Sequence, residues 1–177
     1  MALEFVVEDG TGLEDATSYA DIAEADQYFE NVADTDWTGT DDVKKAALNE
    51  GARYIDATWG AKMKGFPQYP STPQALQFPR YCLYDRYGNI VTGVPVNLKK
   101  ANFEYAKIAL SQSLAQNPVV DESGQLVVAK RERLGPLEEE FKYPQGGTVV
   151  LTKRSYPTAD RFMYDFVAGG GQGSAYR

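Results

Sequence analysis

The chain contains no histidine and one cysteine in 177 residues. Without imidazole there is no Ser-His or Cys-His activation of a nucleophile and no His-containing zinc site. A lone Cys82 makes neither an internal disulfide nor an all-cysteine metal site, and without a histidine partner in its loop it reads as inert. Chemistry is left to carboxylates, lysine and tyrosine, which act only when burial and pairing tune them. The expectation is a protein without enzymatic activity, cofactor or metal. No apolar run approaches the ~20 residues that span a bilayer. Met1-Ala2-Leu3-Glu4 carries neither a basic nor an apolar signal region, so assembly in a reducing cytoplasm is expected.

Positive charge is missing from a whole stretch. Residues 1–42 hold 13 of the 25 acidic residues and no Lys or Arg, leaving 12 acids against 18 bases in the remainder. The net charge of -7 therefore hides two zones of opposite sign. Such zoning speaks to partners and solubility rather than to fold.

Hydrophobic periodicity predicts a mainly α (α+β) protein: a small helical bundle, a protruding β-hairpin arm and a C-terminal extension. Phe5–Leu13 reads as a short strand closed by a glycine turn, and Glu8, Asp9, Glu14 and Asp15 would repel a phosphate there. A first helix spans 19–32, capped by Ser18, with Ile22, Ala25, Phe29 and Val32 on one face. Its other face carries Asp21, Glu24, Asp26 and Glu30 with no cation among them, an arrangement that costs an isolated helix a few tenths of a kcal/mol per like pair. The second helix, 41–59, has Thr40 as its cap and Gly51 inside its apolar stripe. A glycine there costs about 1 kcal/mol relative to Ala and marks a close backbone approach.

Periodicity then fails over 60–93, a proline-rich, aromatic-rich loop whose length predicts a packed Ω-type segment. A third helix over 95–116 ends at Asn117-Pro118, and its outer face should carry the pairs Lys100/Glu104 and Glu104/Lys107. Residues 125–128 and 137–143 have strand character, and adjacency of Glu138, Glu139 and Glu140 in a strand is no catalytic pair. A short amphipathic helix over 156–168 precedes a glycine-rich tail. The expected division is 1–124 as helical core, 125–150 as β-arm, and 151–177 as short helix and flexible tail.

Three stretches carry a family resemblance over about 1–168. They are Val7-Glu8-Asp9-Gly10-Thr11-Gly12-Leu13 with Ala16–Tyr19 and Ala25–Phe29; Gln74–Arg80 with Asp85, Gly88 and Val94-Pro95; and Lys130-Arg131-Glu132-Arg133-Leu134-Gly135-Pro136 running on to Tyr143. In this order they resemble a phage family often labelled DnaT-like single-stranded DNA-binding protein, which is similar in organisation to head-tail connector proteins. Phe78 stands where the family pattern often has Trp, and it keeps a large apolar anchor.

The resemblance implies a virion structural protein without catalytic residues: a head-tail adaptor that forms a ring of about twelve subunits by heterologous contacts. Its partners would be itself, the portal protein and a stopper or tail component, with DNA as cargo through the lumen. Assembly in the host cytoplasm and residence at the head-tail interface of the virion follow.

Two sets of residues are the interface candidates. Asp21, Glu24, Asp26 and Glu30 would be answered by Lys99/Lys100, by Lys130, Arg131 and Arg133, or by Lys153/Arg154, some of them across a subunit boundary. Tyr156, Phe162, Tyr164 and Phe166 would dock on a partner, because a short aromatic helix gains little by folding alone. The alternative function is binding of single-stranded DNA by the loop 61–87, where Lys62, Lys64, Arg80 and Arg86 alternate with rings that include Tyr81 and Tyr84. Against it, the same rings would serve to pack the loop onto the second and third helices, and the net charge opposes phosphate attraction.

Overall fold

In a computed structural model the structure describes residues 4–68, 73–85, 87–115 and 155–167, with the backbone of two short strands at 129–131 and 140–142. Four helices pack together: α1 (Ile22–Asn31), α2 (Asp41–Trp59), α3 (Val96–Ser111) and α4 (Pro157–Met163). Strands β1 (Phe66–Pro67) and β2 (Arg80–Tyr81) form one two-stranded antiparallel sheet, and β3 (Ala129–Arg131) and β4 (Glu140–Lys142) form another. The protein is mainly α, as its periodicity predicts.

The chain divides into two compact units: Met1–Leu114 with Tyr156–Arg177, and Ala115–Ser155. The first contains all four helices, so α4 shares a unit with α1–α3. In the second, β3 pairs with β4 in the register Ala129↔Lys142, Lys130↔Phe141, Arg131↔Glu140. These strands lie a few residues beyond the expected 125–128 and inside the expected 137–143. Arg133, Lys153, Glu138, Glu139 and the glycine tail fall outside the described residues.

α1 starts later than expected, because Asp21 and not Ser18 is its cap. The Asp21 carboxylate accepts from the N–H of Ala23 at 2.5 Å and Glu24 reaches back to the Asp21 N–H, a capping box that turns a like-charge pair into mutual support. Ser18 is instead fully buried, its hydroxyl donating to the Ala20 carbonyl at 2.8 Å and accepting from the Asn102 amide at 3.1 Å. At α2 Thr40 occupies the cap position without a side-chain cap bond. Gly51 meets α3 as its place in the stripe predicts: a Cβ there would sit 2.7 Å from Asn102 Oδ1 and 3.0 Å from the Asn102 carbonyl oxygen.

α3 stops at Ser111, short of the expected 116. Gln112 is extended, and the chain turns so that Leu114 enters the core, 3% exposed. Glu104 is not on an outer face; it is 5% exposed, accepting from the Tyr28 hydroxyl at 2.8 Å with Lys107 3.4 Å away. Burial and this carboxylate push the Tyr28 phenol up to about 12.

Two apolar clusters hold the unit together. One gathers Ile55, Trp59, Phe78, Leu98, Tyr105, Met163 and Phe166; the other Phe29, Trp37, Leu48, Phe103 and Ala106. Each large side chain removed from water contributes about 1.5–3 kcal/mol.

The N-terminal stretch is not a strand. Val7 makes an isolated bridge with Ser18, and the chain then wraps around the Glu8 side chain, which is 2% exposed. Its carboxylate accepts from the N–H groups of Gly10 and Gly12, both at 2.8 Å, and of Leu13 at 2.9 Å. Backbone amides that would cradle an anion are filled by the chain's own.

Candidate interaction surface

The chain leaves α2 through a 3-10 turn, Gly60–Lys62, and parts of the described stretch before α3 pack against the helices. Arg80 organises the segment. Its guanidinium donates to the carbonyls of Lys64 at 2.9 Å, Gly65 at 2.9 Å and Gln77 at 3.2 Å, and to the Gln77 side chain at 3.0 Å. A half-buried carboxylate acts on the same segment: Asp56 accepts from the Tyr19 hydroxyl and, at 3.1 Å, from the Gln77 N–H. Burial pushes Asp56 up to about 6, against the opposing pull of Tyr19, Gln77 and Arg80. Phe78, Leu76 and Leu83 drop into the helical core.

Four other described rings of the loop face solvent. Phe66, Tyr81, Tyr84 and Tyr87 are 59%, 45%, 49% and 80% exposed, with Phe66 and Tyr81 forming a tilted pair at 5.5 Å across β1 and β2. Packing onto the helices thus accounts for Phe78 and not for these four. Tyr84 and Tyr87 flank a turn held by Asp85, whose carboxylate accepts from the N–H groups of Tyr87 and Asn89, both at 2.8 Å, and from the Asn89 amide at 2.9 Å. Hydrogen bonding from Asn89 holds Asp85 below its usual value. Beside the turn runs a groove of about 340 Å³ lined by Leu83, Tyr84, Tyr87, Val91, Pro95, Val96 and Phe166, with Asp85, Asn97 and Asp165.

Of the cations expected in a nucleic-acid groove, Arg80 is 5% exposed and spent on carbonyls. Lys64 Nζ donates to the Asp165 carbonyl at 3.1 Å, Lys62 Nζ lies 5.8 Å from the Trp59 ring centroid, and Arg86 falls outside the described residues.

The acidic face of α1 is answered mostly from within the chain. Lys99 meets Glu24 at 2.5 Å and Lys44 meets Asp26 at 2.7 Å, while the Trp37 indole N–H donates to Asp26 at 2.6 Å. Asp21 serves its capping box and Glu30 is exposed. The only cation among these that the charge pattern proposed is Lys99. Lys44, from α2, was not anticipated, and the face is less uncompensated than its sequence implies.

The C-terminal aromatic helix packs in part within its own unit. Tyr156 and Phe166 are buried, Phe162 is half-buried beneath Arg161, and Tyr164 is exposed at 47%. Tyr105 and Trp59 supply what the short helix lacks alone: the Tyr105 hydroxyl donates to Asp160 at 2.5 Å and accepts from the Trp59 indole at 2.9 Å. Lys130 and Arg131 lie on β3.

Sequence reasoning missed Glu8, Asp56 and Asp160. The Glu8-x-Gly-x-Gly spacing is a signal for the first; nothing local distinguishes the other two from solvated helix acids. Among the described residues no helix is long and apolar enough to cross a membrane, and no group of three His, Cys, Asp or Glu side chains is placed to hold a metal ion.

Fold and surface together define a small α-rich module with an inserted β-pair and an exposed aromatic loop. The chain belongs to the family described as "Putative DnaT-like ssDNA binding protein", whose model matches residues 3–177. No curated protein and no solved structure matches it.

Proposed function

We propose that the chain is a structural, non-enzymatic subunit of a tailed-phage head-tail junction, assembling as a ring that joins the portal to a stopper or tail component while DNA passes through. The observation that carries this reading is how residues 115–155 are set into the chain. The helical unit closes at the point of insertion by its own bond, the Tyr156 hydroxyl donating to the Leu114 carbonyl at 3.1 Å. A two-stranded antiparallel pair is marginal by itself in water. Residues 129–131 and 140–142 within that segment pair as such a ladder, whose edges a partner surface would complete. Such a subunit resides in the virion after assembly in the host cytoplasm. The test is to image the purified chain alone and mixed with portal: rings, or portal capped by them, are expected, and a chain monomeric in both samples overturns the reading.

A second reading is single-stranded DNA binding by the 61–87 loop. The family's description speaks for it more directly than for the junction. The four exposed rings supply stacking platforms, each worth about 1–3 kcal/mol per base. Against it stand the commitment of Arg80 and the carboxylates of Asp85 and Asp165 beside the rings. Anisotropy of a labelled oligonucleotide decides: saturable binding at low ionic strength, lost in Tyr84→Ala/Tyr87→Ala, favours DNA, and none at any salt removes it.

A further inference from the structure

The two ends of α2 carry opposite charge. Asp41 and Asp42 open the helix, both exposed and neither in an ion pair among the described residues. Val43, next in sequence, and Val32, at the C-cap of α1, are exposed as well, so the turn that joins α1 to α2 is acidic and partly apolar. At the far end the 3-10 turn Gly60–Lys62 leads into Lys64 and Phe66. Lys62 Nζ lies 5.8 Å from the Trp59 ring centroid, and Tyr164 packs edge-on against the same ring at 6.3 Å. The Lys64 N–H donates to the Phe166 carbonyl at 2.7 Å, and Phe66 pairs with Tyr81. Both lysines are exposed, and neither has a carboxylate partner among the described residues. Phe66, Tyr81 and Tyr164 are exposed beside them.

A helix rises ~1.5 Å per residue, so the 19 residues of α2 hold Asp41 and the lysines about 28 Å apart. The acidic turn and the lysines therefore cannot reach each other within one chain. The helix dipole accounts for acids in the first turn of α2. It does not call for the valines and rings left exposed with the charges. A ring closed by heterologous contacts needs two different, complementary patches on each subunit, and the two ends of α2 supply them. Single-stranded DNA fits the lysine end less well. Phe66 and Tyr81 turn one ring face towards each other, at 5.5 Å and 33°, and two lysines give little phosphate attraction in a chain of net charge -7.

We infer that the acidic α1–α2 turn of one subunit docks on the lysine-aromatic face around Lys62, Lys64, Phe66 and Tyr81 of a second copy, so that subunits join head to tail. The inference deepens the junction reading and rests on it.

Mixed cross-linking tests it with full-length chains in a Cys82→Ser background. One carries Val43→Cys and the other Tyr81→Cys, and copper phenanthroline is the oxidant. A disulfide-linked pair containing one of each is expected in the mixture, and none from either chain alone. In unoxidised chains, Lys62→Glu with Lys64→Glu should raise the concentration at half-assembly about tenfold, the equivalent of roughly 1.4 kcal/mol. Asp41→Lys with Asp42→Lys should do the same. All four substitutions in one chain should restore assembly, because the reversed charges face each other again, whereas damage to the fold at two distant sites would add. Rings that form without the mixed disulfide overturn this contact and leave the junction reading standing. A labelled oligonucleotide that binds wild type and not Lys62→Glu/Lys64→Glu, with no mixed disulfide, gives the face to DNA and overturns the inference too. A chain that forms no ring, alone or with portal, sinks both.

Discussion

The Tyr105 hydroxyl on α3 donates to the Asp160 carboxylate on α4 at 2.5 Å, and both side chains are buried. The same carboxylate accepts from the Tyr156 N–H at 3.0 Å, so one acid fixes the start of a seven-residue helix to the bundle. Burial and the neighbouring acid hold the Tyr105 phenol far above its ordinary value, so it stays a donor at every working pH. Tyr105→Phe removes the hydroxyl that bonds both Asp160 Oδ1 and the Trp59 indole N–H. Loss of about 1–3 kcal/mol in denaturant unfolding is expected, since two buried hydrogen bonds go with it. A loss below 0.5 kcal/mol, the size of a surface substitution, would show that the bond does not anchor α4.

Gly51→Ala is expected to destabilise although alanine is the better helix former. The substitution gains about 1 kcal/mol of helix propensity. Against that, the new methyl meets Asn102 Oδ1 at 2.7 Å, the Asn102 carbonyl oxygen at 3.0 Å and Ala106 N at 3.2 Å, and two of those three atoms are backbone. Separating α2 from α3 costs about 1–3 kcal/mol on overpacking grounds. Removing the side-chain part with Asn102→Ala should recover only a fraction. A Gly51→Ala chain more stable than wild type would mean that the helices part freely.

Glu8→Gln keeps size and removes charge. The carboxylate receives three backbone N–H groups, two on Oε1 and one on Oε2. A carboxamide accepts on one atom and presents donors on the other, leaving at least one N–H facing another. A cost of about 1–3 kcal/mol is expected, together with faster amide exchange at Gly10, Gly12 and Leu13. Unchanged exchange at these three amides would place their stabilisation elsewhere.

Helical stripes were legible because periodicity reports burial directly: α2 runs Asp41–Trp59, matching 41–59, and Gly51 lies against α3. What was not legible is where a polar group finds its partner. Ser18 suits a helix cap by sequence, yet Asp21 takes that place, while Asn102, 84 residues from Ser18, holds the serine hydroxyl in the core. α4 by its own sequence gives no sign of its contacts with α3 and α2; they run through Tyr105 and Trp59, 55 residues and more away in the chain. The loop rings read alike, yet Phe78 is fully buried and Tyr87 is 80% exposed, a split that no alternation in the loop encodes. The surface was legible as a stretch, and its division into anchor and exposed rings was not.

Asp56 gives a pH signature whose sign differs from that of the surface acids. Burial raises it from 3.8 to about 6, so between those values the folded chain holds a proton that the unfolded chain has released. Stability from this group is therefore fully present below pH 3.8 and is lost as pH rises through 6. The size is about 2–3 kcal/mol by linkage. Asp26 and Asp34 are lowered, Asp26 by Lys44 and Trp37 against a cost of burial, Asp34 chiefly by Lys107. Their contribution is present above the ordinary carboxylate value and lost as pH falls beneath it, a window on the acid side of the Asp56 one. Comparing wild type with Asp56→Asn isolates this acid, because the other carboxylates cancel in the difference. The wild type should lose stability relative to the variant as pH rises from about 4 to about 6, with little further divergence above 7. Parallel stability curves across that interval would show that Asp56 stays ionised beside Tyr19 and Arg80. The acid would then be a paired charge rather than a proton-holding one.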